Sequence, residues 1–166
     1  MIFPLCSMVA HGAESGDLYL RFHRADSTLT QAEVRTLYLD YAHTDAYRQS
    51  LVPLPLDLGE AVKQRPLSLQ VLYDVAIARK REGNEPEMQR LAEQLWMLGS
   101  MLHDFYTGDS DSPIPILYRE DEHFYLHNWE NIDAIVSEER SGRYDLIECT
   151  MPPDWTYTFH FQTFDP

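Results

Sequence analysis

Hydrophobic residues recur at alternating steps of three and four between residues 86 and 106, which predicts one long helix. The repeating positions are Met88, Leu91, Leu95, Leu98, Leu102 and Phe105. That spacing places their side chains on one stripe of an α-helix. Met97 and Met101 widen the stripe, so we expect a core helix around which other elements pack. Pro86 suits the first turn of this helix, and Gly108 suits its end.

Three further helices are predicted before the core helix. The T-x-x-E sequence from Thr30 to Glu33 is a capping box, and it starts a predicted helix over residues 31–47. A second capping sequence starts a short helix over residues 57–64. Residues 68–82 are apolar on nearly all sides for two turns, which predicts a buried helix. We expect this last helix to form an αα-hairpin with the core helix.

Strands are predicted at both ends of the chain. The apolar run at residues 2–9 and the alternating pattern at residues 17–24 predict an N-terminal antiparallel hairpin. Residues 113–118 and 123–127 predict a second hairpin, and the charged residues between them predict an exposed turn.

The rest of the C-terminal third predicts a short helix followed by two strands. The helix is expected over residues 131–141, with its isoleucines and valine turned inward. Residues 144–151 predict a strand. Residues 155–162 predict a final strand, in which aromatic residues alternate with polar ones and form one face.

The fold class is therefore α+β. We expect a central helical hairpin with additional helices, packed against antiparallel β-strands from the N-terminus and the C-terminal third. A length of 166 residues and a hydrophobic content of 44% fit a single domain over residues 1–166. The alternative is a boundary near residues 107–112, which would leave two small halves.

Composition points to a reduced, cytoplasmic protein with no membrane partner. The two cysteines, Cys6 and Cys149, are too few for a disulfide framework. No apolar run reaches the ~18 residues of a membrane helix. The apolar start of the sequence lacks the positive segment of a signal peptide and is interrupted by Pro4.

Charge is distributed unevenly along the chain. The net charge is −14, and residues 107–166 carry thirteen acidic but only three basic side chains. Direct nucleic-acid binding is disfavoured, because contact with phosphates needs lysine and arginine. A basic protein partner is favoured. The alternative is that the acidic surface serves only solubility.

Metal sites and catalytic motifs are not supported by the spacing of candidate residues. Asp109, Asp111 and Glu120 match three positions of an EF-hand loop, but Ile114 stands where the loop needs glycine. His123 and His127 lie on a predicted strand, where they would be ~13 Å apart and could not share an ion. No nucleophile elbow, P-loop, dinucleotide fingerprint or zinc-protease motif is present. The sequence therefore predicts no catalytic residue, metal or cofactor.

Acidic and aromatic residues of the last third form the candidate binding surface. Carboxylates mixed with tyrosine and tryptophan are suited to a basic protein partner. The candidate residues are Asp109, Asp111, Tyr118, Glu120, Asp121, Glu122, Trp129, Glu130, Asp133, Glu138 and Glu139.

Three functions are compatible with these features. The first is a non-enzymatic binding protein that captures a basic protein partner, most concretely a bacterial toxin-neutralising (immunity-type) protein. This hypothesis rests on an analogy of size and composition. The second is a small cytoplasmic enzyme, hydrolase-like, using histidine and carboxylates. The third is a DNA-mimicking inhibitor, which would need its carboxylates in a regular double row.

We predict that the purified protein holds no stoichiometric metal ion. The reason is that the EF-hand pattern lacks its glycine and the histidine pair is badly spaced. Elemental analysis after dialysis without chelator measures the metal content. One equivalent of zinc or calcium per chain would overturn the prediction and favour the enzyme hypothesis.

Overall fold

The computed structural model describes residues 13–164 and has an α+β fold. Seven helices and four strands occur in this part of the chain. The helices before the sheet are α1 (Ala13–His23), α2 (Gln31–Tyr41), α3 (Asp45–Ser50), α4 (Leu58–Gln64), α5 (Leu69–Arg81) and α6 (Glu85–Phe105). The remaining elements are β1 (Ile114–Ile116), α7 (Glu120–Trp129), β2 (Ala134–Ser141), β3 (Tyr144–Met151) and β4 (Trp155–Thr163).

The chain divides into two compact units. The first unit ends at Met101, and the second begins at Leu102 in the last turn of α6. The single-domain prediction and its alternative boundary near residues 107–112 both stay predictions. Each unit is described by itself below.

The first unit contains most of the predicted core helix, and its apolar stripe is buried only in part, because Met88 and Leu95 are half-buried. Leu91, Leu98 and Met101 of α6 are fully buried, and Gln94 lies among them with 3% of its surface exposed. The opposite side of the helix is open, because Trp96 is 68% exposed. The helix is therefore amphipathic and is not covered on all sides.

The predicted helices 57–64 and 68–82 are confirmed as α4 and α5, and each begins at a side-chain cap. The Asp57 carboxylate accepts a hydrogen bond from the N–H of Glu60. The Ser68 hydroxyl accepts one from the N–H of Val71. Such caps satisfy N–H groups that have no partner within the helix. The expected hairpin packing of α5 against α6 stays a prediction.

The predicted helix 31–47 is two helices. The capping box at Thr30 and Glu33 is confirmed, but α2 ends at Tyr41 and α3 begins at Asp45. Thr44 causes the new start, because its hydroxyl accepts a hydrogen bond from the N–H of Tyr47 at 3.1 Å. The same hydroxyl donates to the carbonyl of Tyr41 at 2.8 Å. A threonine followed by an aspartate was the available N-cap signal.

The predicted strand at residues 17–24 is wrong, because these residues belong to α1. The alternating leucines suggested a sheet face, yet only Phe22 is fully buried and Leu20 is 38% exposed. The Arg21 guanidinium instead bonds the Asp26 carboxylate at 3.0 Å and the Glu33 carboxylate at 3.1 Å. These ion pairs connect α1 to the start of α2. The strand predicted at residues 2–9 lies outside the described residues, and no N-terminal strand occurs among the residues described.

The second unit contains a four-stranded mixed sheet in the order β1-β4-β3-β2. Strand β1 is parallel to β4, and the other neighbouring pairs are antiparallel. One face of the sheet is buried and carries Ile147, Cys149, Phe159 and Phe161. Helix α7 contacts this face through Tyr125, whose ring meets that of Phe161 edge-on. The predicted strands 144–151 and 155–162 are therefore confirmed, including the aromatic face.

Two predictions in the second unit are wrong. Residues 123–127 are helical, and β1 pairs with the distant β4 and forms no local hairpin. Residues 131–141 contain strand β2 where a helix was predicted. A bulge between Ile135 and Ser137 shifts the pairing with β3, so the apolar positions lose the two-residue period of a regular strand. The resulting spacing of Ile132, Ile135 and Val136 resembles that of the buried positions in a helix.

Leu98→Ala should lower the free energy of unfolding by roughly 2–5 kcal/mol, because Leu98 is fully buried on α6. Leu95→Ala should cost clearly less, because Leu95 is only half-buried on the same helix. Chemical denaturation of both variants measures the difference. Equal losses, or a loss under ~0.5 kcal/mol for Leu98→Ala, would contradict this position of α6 in the core.

Candidate functional site

The eleven candidate residues of the second unit separate into exposed, partly exposed and buried groups. The exposed ones are Asp109, Asp111, Glu120, Asp133, Glu138 and Glu139. The partly exposed ones are Trp129 and Glu130. The buried ones are Tyr118, Asp121 and Glu122, with at most 2% of their surfaces exposed. These three side chains therefore cannot form the outer surface that the sequence suggested.

The expected exposed turn at residues 119–122 is wrong because α7 begins there. The three acidic residues Glu120, Asp121 and Glu122 occupy the first helical turn. Negative side chains are favourable at this end of a helix, where the backbone N–H groups carry partial positive charge. This acidic triplet was the sequence signal for a helix start. Only Glu120 of the three points to solvent.

Glu122 of α7 and Asp145 of β3 form a buried carboxyl pair. Each residue has 1% of its surface exposed. The Arg119 Nε donates to Asp145 Oδ2 at 2.8 Å, and the Arg140 Nε lies 4.0 Å from the same oxygen. Glu122 Oε1 and Asp145 Oδ1 are buried, and no N–H or hydroxyl group in the described part of the chain donates a hydrogen bond to them. Two ionised carboxylates in this position would repel each other.

A shared proton resolves this repulsion. Burial, followed by the hydrogen bond and charge of Asp145, raises the pKa of Glu122 to about 9. Glu122 therefore keeps its proton at neutral pH, and its carboxyl O–H donates a hydrogen bond to the Asp145 carboxylate. The pair joins the start of α7 to β3 and adds one negative charge to the unit instead of two. Because both side chains are closed to solvent, they do not offer a surface to a substrate.

Glu130 and Trp129 are also engaged within the second unit. The Tyr125 hydroxyl donates to Glu130 Oε1 at 2.5 Å, and His103 Nδ1 lies 3.2 Å from the same oxygen. Burial and the Glu130 carboxylate raise the pKa of Tyr125, so its phenol stays neutral. The Trp129 ring stacks on that of Tyr125 at 6.1 Å. These contacts secure the end of α7.

Asp109 organises the loop between α6 and β1. Its carboxylate accepts hydrogen bonds from the Thr107 hydroxyl and from the N–H groups of Asp111 and Ser112, all within 2.9 Å. The Thr107 hydroxyl contributes most to a lowered pKa of Asp109, followed by the Ser112 N–H. Asp109 thus stabilises its own loop while remaining exposed. The EF-hand geometry is absent here, and no cluster of three or more metal-ligating side chains occurs between residues 13 and 164.

The remaining exposed carboxylates include those of strand β2, which lies at one edge of the sheet. Seven of its eight residues are exposed, including Glu138 and Glu139. His123 Nε2 of α7 lies 2.5 Å from Glu138 Oε1, while Glu139 lies on the opposite face of the sheet. Glu120 precedes His123 by three residues on α7, so it is on the same side of that helix. The structure therefore brings Glu120 and Glu138 toward one edge.

Comparisons with known proteins give no family assignment: no family model, curated protein or solved structure matches the chain. In the described residues, no helix combines the length and apolar character needed to cross a membrane.

Glu122→Gln should remove a pH dependence of stability. The folded-state pKa of Glu122 is about 9 against an ordinary value of 4.5, so the folded protein holds one more proton between these pH values. Its stabilising contribution is complete below pH 4.5 and declines as pH rises toward 9, by up to ~1.4 kcal/mol per pH unit. Glutamine imitates the protonated acid, so the variant should lose less stability between pH 5 and pH 9 than the wild type.

Denaturant titrations at several pH values measure this difference. Glu120→Gln is the matched control, because Glu120 is the exposed carboxylate in the same helical turn. Equal pH slopes for the wild type and Glu122→Gln would contradict the shared proton.

Proposed function

We propose that the second unit captures a basic protein partner along the free edge of β2. The observation that carries the proposal is an exposed eight-residue edge strand with two adjacent glutamates. An edge strand has backbone N–H and C=O groups without strand partners, and an added strand from another protein can pair with them. Such pairing supplies affinity, while side chains determine which partner is accepted.

Charge favours a basic strand at this edge. Residues 102–166 carry fourteen acidic and three basic side chains, and protonation of Glu122 removes one of the negative charges. Strand β2 contains one basic residue, Arg140, which lies 4.0 Å from both Glu138 and Asp145. Lysine or arginine of an approaching strand would meet Glu138 and Glu139. Val136, which is 55% exposed, offers an apolar contact beside them.

The same charges oppose pairing between two copies of this chain. Antiparallel pairing of two β2 strands near their centres would bring the Glu138–Glu139 pair of one copy close to that of the other. Like charges in opposite positions of a sheet are destabilising. Charged residues on an edge strand commonly prevent aggregation in this way. Here they also leave the edge complementary to a basic partner.

The most concrete form of this function is a toxin-neutralising (immunity-type) protein acting in the cytoplasm. Its acidic edge would cover a cationic active site and block it by steric and electrostatic occlusion. Long-range attraction would make association fast and sensitive to salt. The size of the chain and its excess of carboxylates support this version.

The two other functions have less support. A hydrolase-like enzyme would need reachable acid and base groups, whereas the Glu122–Asp145 pair is closed to solvent. A DNA mimic would need carboxylates in a regular double row. The exposed carboxylates instead lie in a loop, at a helix start and on a strand, with irregular spacing.

The double substitution Glu138→Lys with Glu139→Lys should slow association with the partner at least tenfold at low salt. The physical reason is that electrostatic steering raises association rates by roughly 10–1,000-fold. The partner is first isolated by affinity capture from the source cell and identified. Association and dissociation rates are then measured at two salt concentrations.

The matched control is Asp74→Lys with Glu93→Lys, which changes the net charge equally on exposed helix surfaces of the first unit. It should leave the association rate nearly unchanged. Thermal unfolding checks that both variants fold, since exposed substitutions usually shift stability by about 0.5 kcal/mol or less. An acidic partner, or equal effects of the two double substitutions, would contradict capture at this edge.

A further inference from the structure

The first unit contains a cavity of about 500 Å³ that the proposed function does not use. Residues from helices α1 to α6 contribute to its lining, and most of the wall is apolar. Tyr41, Ala46, Val62 and Leu72 are among the lining residues. The volume lies within the ~300–1,000 Å³ of ordinary small-molecule sites, which are likewise mostly apolar with a few polar groups.

Polar lining groups gather where α1 meets α6. The Tyr19 ring stacks on the His23 ring with centroids 6.2 Å apart. Arg90 Nη1 donates to the His23 carbonyl at 2.6 Å, and Gln94 Nε2 donates to the Phe22 carbonyl at 3.1 Å. These bonds fix Arg90 and Gln94 beside the two rings. One part of an otherwise apolar cavity is thus lined by polar groups, of which Arg90 and Gln94 are held in place by backbone carbonyls of α1.

The charges of the lining are opposite to that of the protein. The chain has a net charge of −14, yet no aspartate or glutamate among residues 13–164 lines the cavity, whereas Lys63 and Arg90 do. Burial raises the pKa of Tyr19, so its phenol stays protonated. Burial, followed by the Arg90 charge, lowers the pKa of His23, which leaves its imidazole neutral at neutral pH. Both rings can donate a hydrogen bond, and Arg90 supplies a permanent cation.

Arg90 is already paired with a carboxylate outside the lining. Its Nε and Nη2 bond the two oxygens of Glu87 at 2.9 and 2.5 Å. The local charge near Tyr19 and His23 is therefore only partly positive. A ligand group with a single negative charge fits this setting better than a phosphate dianion, because the Glu87 carboxylate already offsets the charge of Arg90.

We propose that the cavity binds a small apolar carboxylate, with its hydrocarbon part against the apolar walls and its carboxylate beside Tyr19, His23 and Arg90. The apolar walls supply most of the affinity through burial of hydrocarbon surface. The donors determine the orientation of the ligand and favour an acid over an alcohol of equal length. This site is independent of the partner edge on β2.

Titration calorimetry of the full chain with decanoate tests the proposal. We expect one equivalent of decanoate to bind at least tenfold more tightly than decanol. Acetate, which lacks the hydrocarbon chain, should give no measurable binding. Equal affinities for decanoate and decanol would overturn the carboxylate site. Binding of many equivalents, or of neither long-chain probe, would overturn the cavity as a ligand site.

Two substitutions locate the binding within the cavity. Ala46→Phe places a ring in the wall and should abolish binding of both long-chain probes, whereas Ala32→Phe, on the exposed side of α2, should not. Tyr19→Phe removes only the hydroxyl and should weaken decanoate binding several-fold while leaving decanol binding unchanged. Unchanged decanoate binding in Ala46→Phe would overturn the assignment, and decanol binding by Tyr19→Phe reports that the cavity remains intact.

Discussion

The buried pair of Glu122 and Asp145 is the contact on which the second unit depends. Two carboxyl groups at 1% exposure are unfavourable unless they share a proton or meet a cation, and here both conditions hold. The pair and Arg119 join the first turn of α7 to β3. With the start of α7 fixed there, His123 meets Glu138 of β2 and Tyr125 meets Phe161 of β4. The outer edge of β2 remains exposed.

The same pair lowers the number of acidic side chains that reach the surface of the second unit. From the sequence, Asp121, Glu122 and Glu130 are expected on an acidic binding surface. In the structure, Asp121, Glu122 and Asp145 are buried, and Glu130 accepts a hydrogen bond from Tyr125. The acidic surface is therefore formed by fewer residues, and those on β2 belong to an exposed strand edge. A partner that binds this surface therefore contacts the backbone N–H and C=O groups of β2 as well as its charged side chains.

The sequence predicted correctly those helices and strands whose hydrophobic period and capping residues indicate the same structure. The α6 stripe, the Ser68 and Asp57 caps and the alternating β4 were all recognisable, because local chemistry alone determines their form. Three elements were predicted wrongly because their local pattern also suits another structure. The alternating leucines of α1 suit a strand, although this segment is a helix held by ion pairs of Arg21. The bulge in β2 gives its apolar residues the spacing of a helix. The acidic residues at the start of α7 also suit an exposed turn. The carboxyl pair joins residues 23 positions apart, so no local signal could reveal it. The cavity likewise combines residues from six helices.

Hydrogen–deuterium exchange of the chain with and without its captured partner tests the central claim most directly. Strand addition places new hydrogen bonds on backbone N–H groups of β2, so amides within residues 134–141 should exchange more slowly in the complex. The first unit should change little. Protection confined to other segments, such as residues 107–112, with β2 exchanging as in the free chain, would contradict capture at this edge.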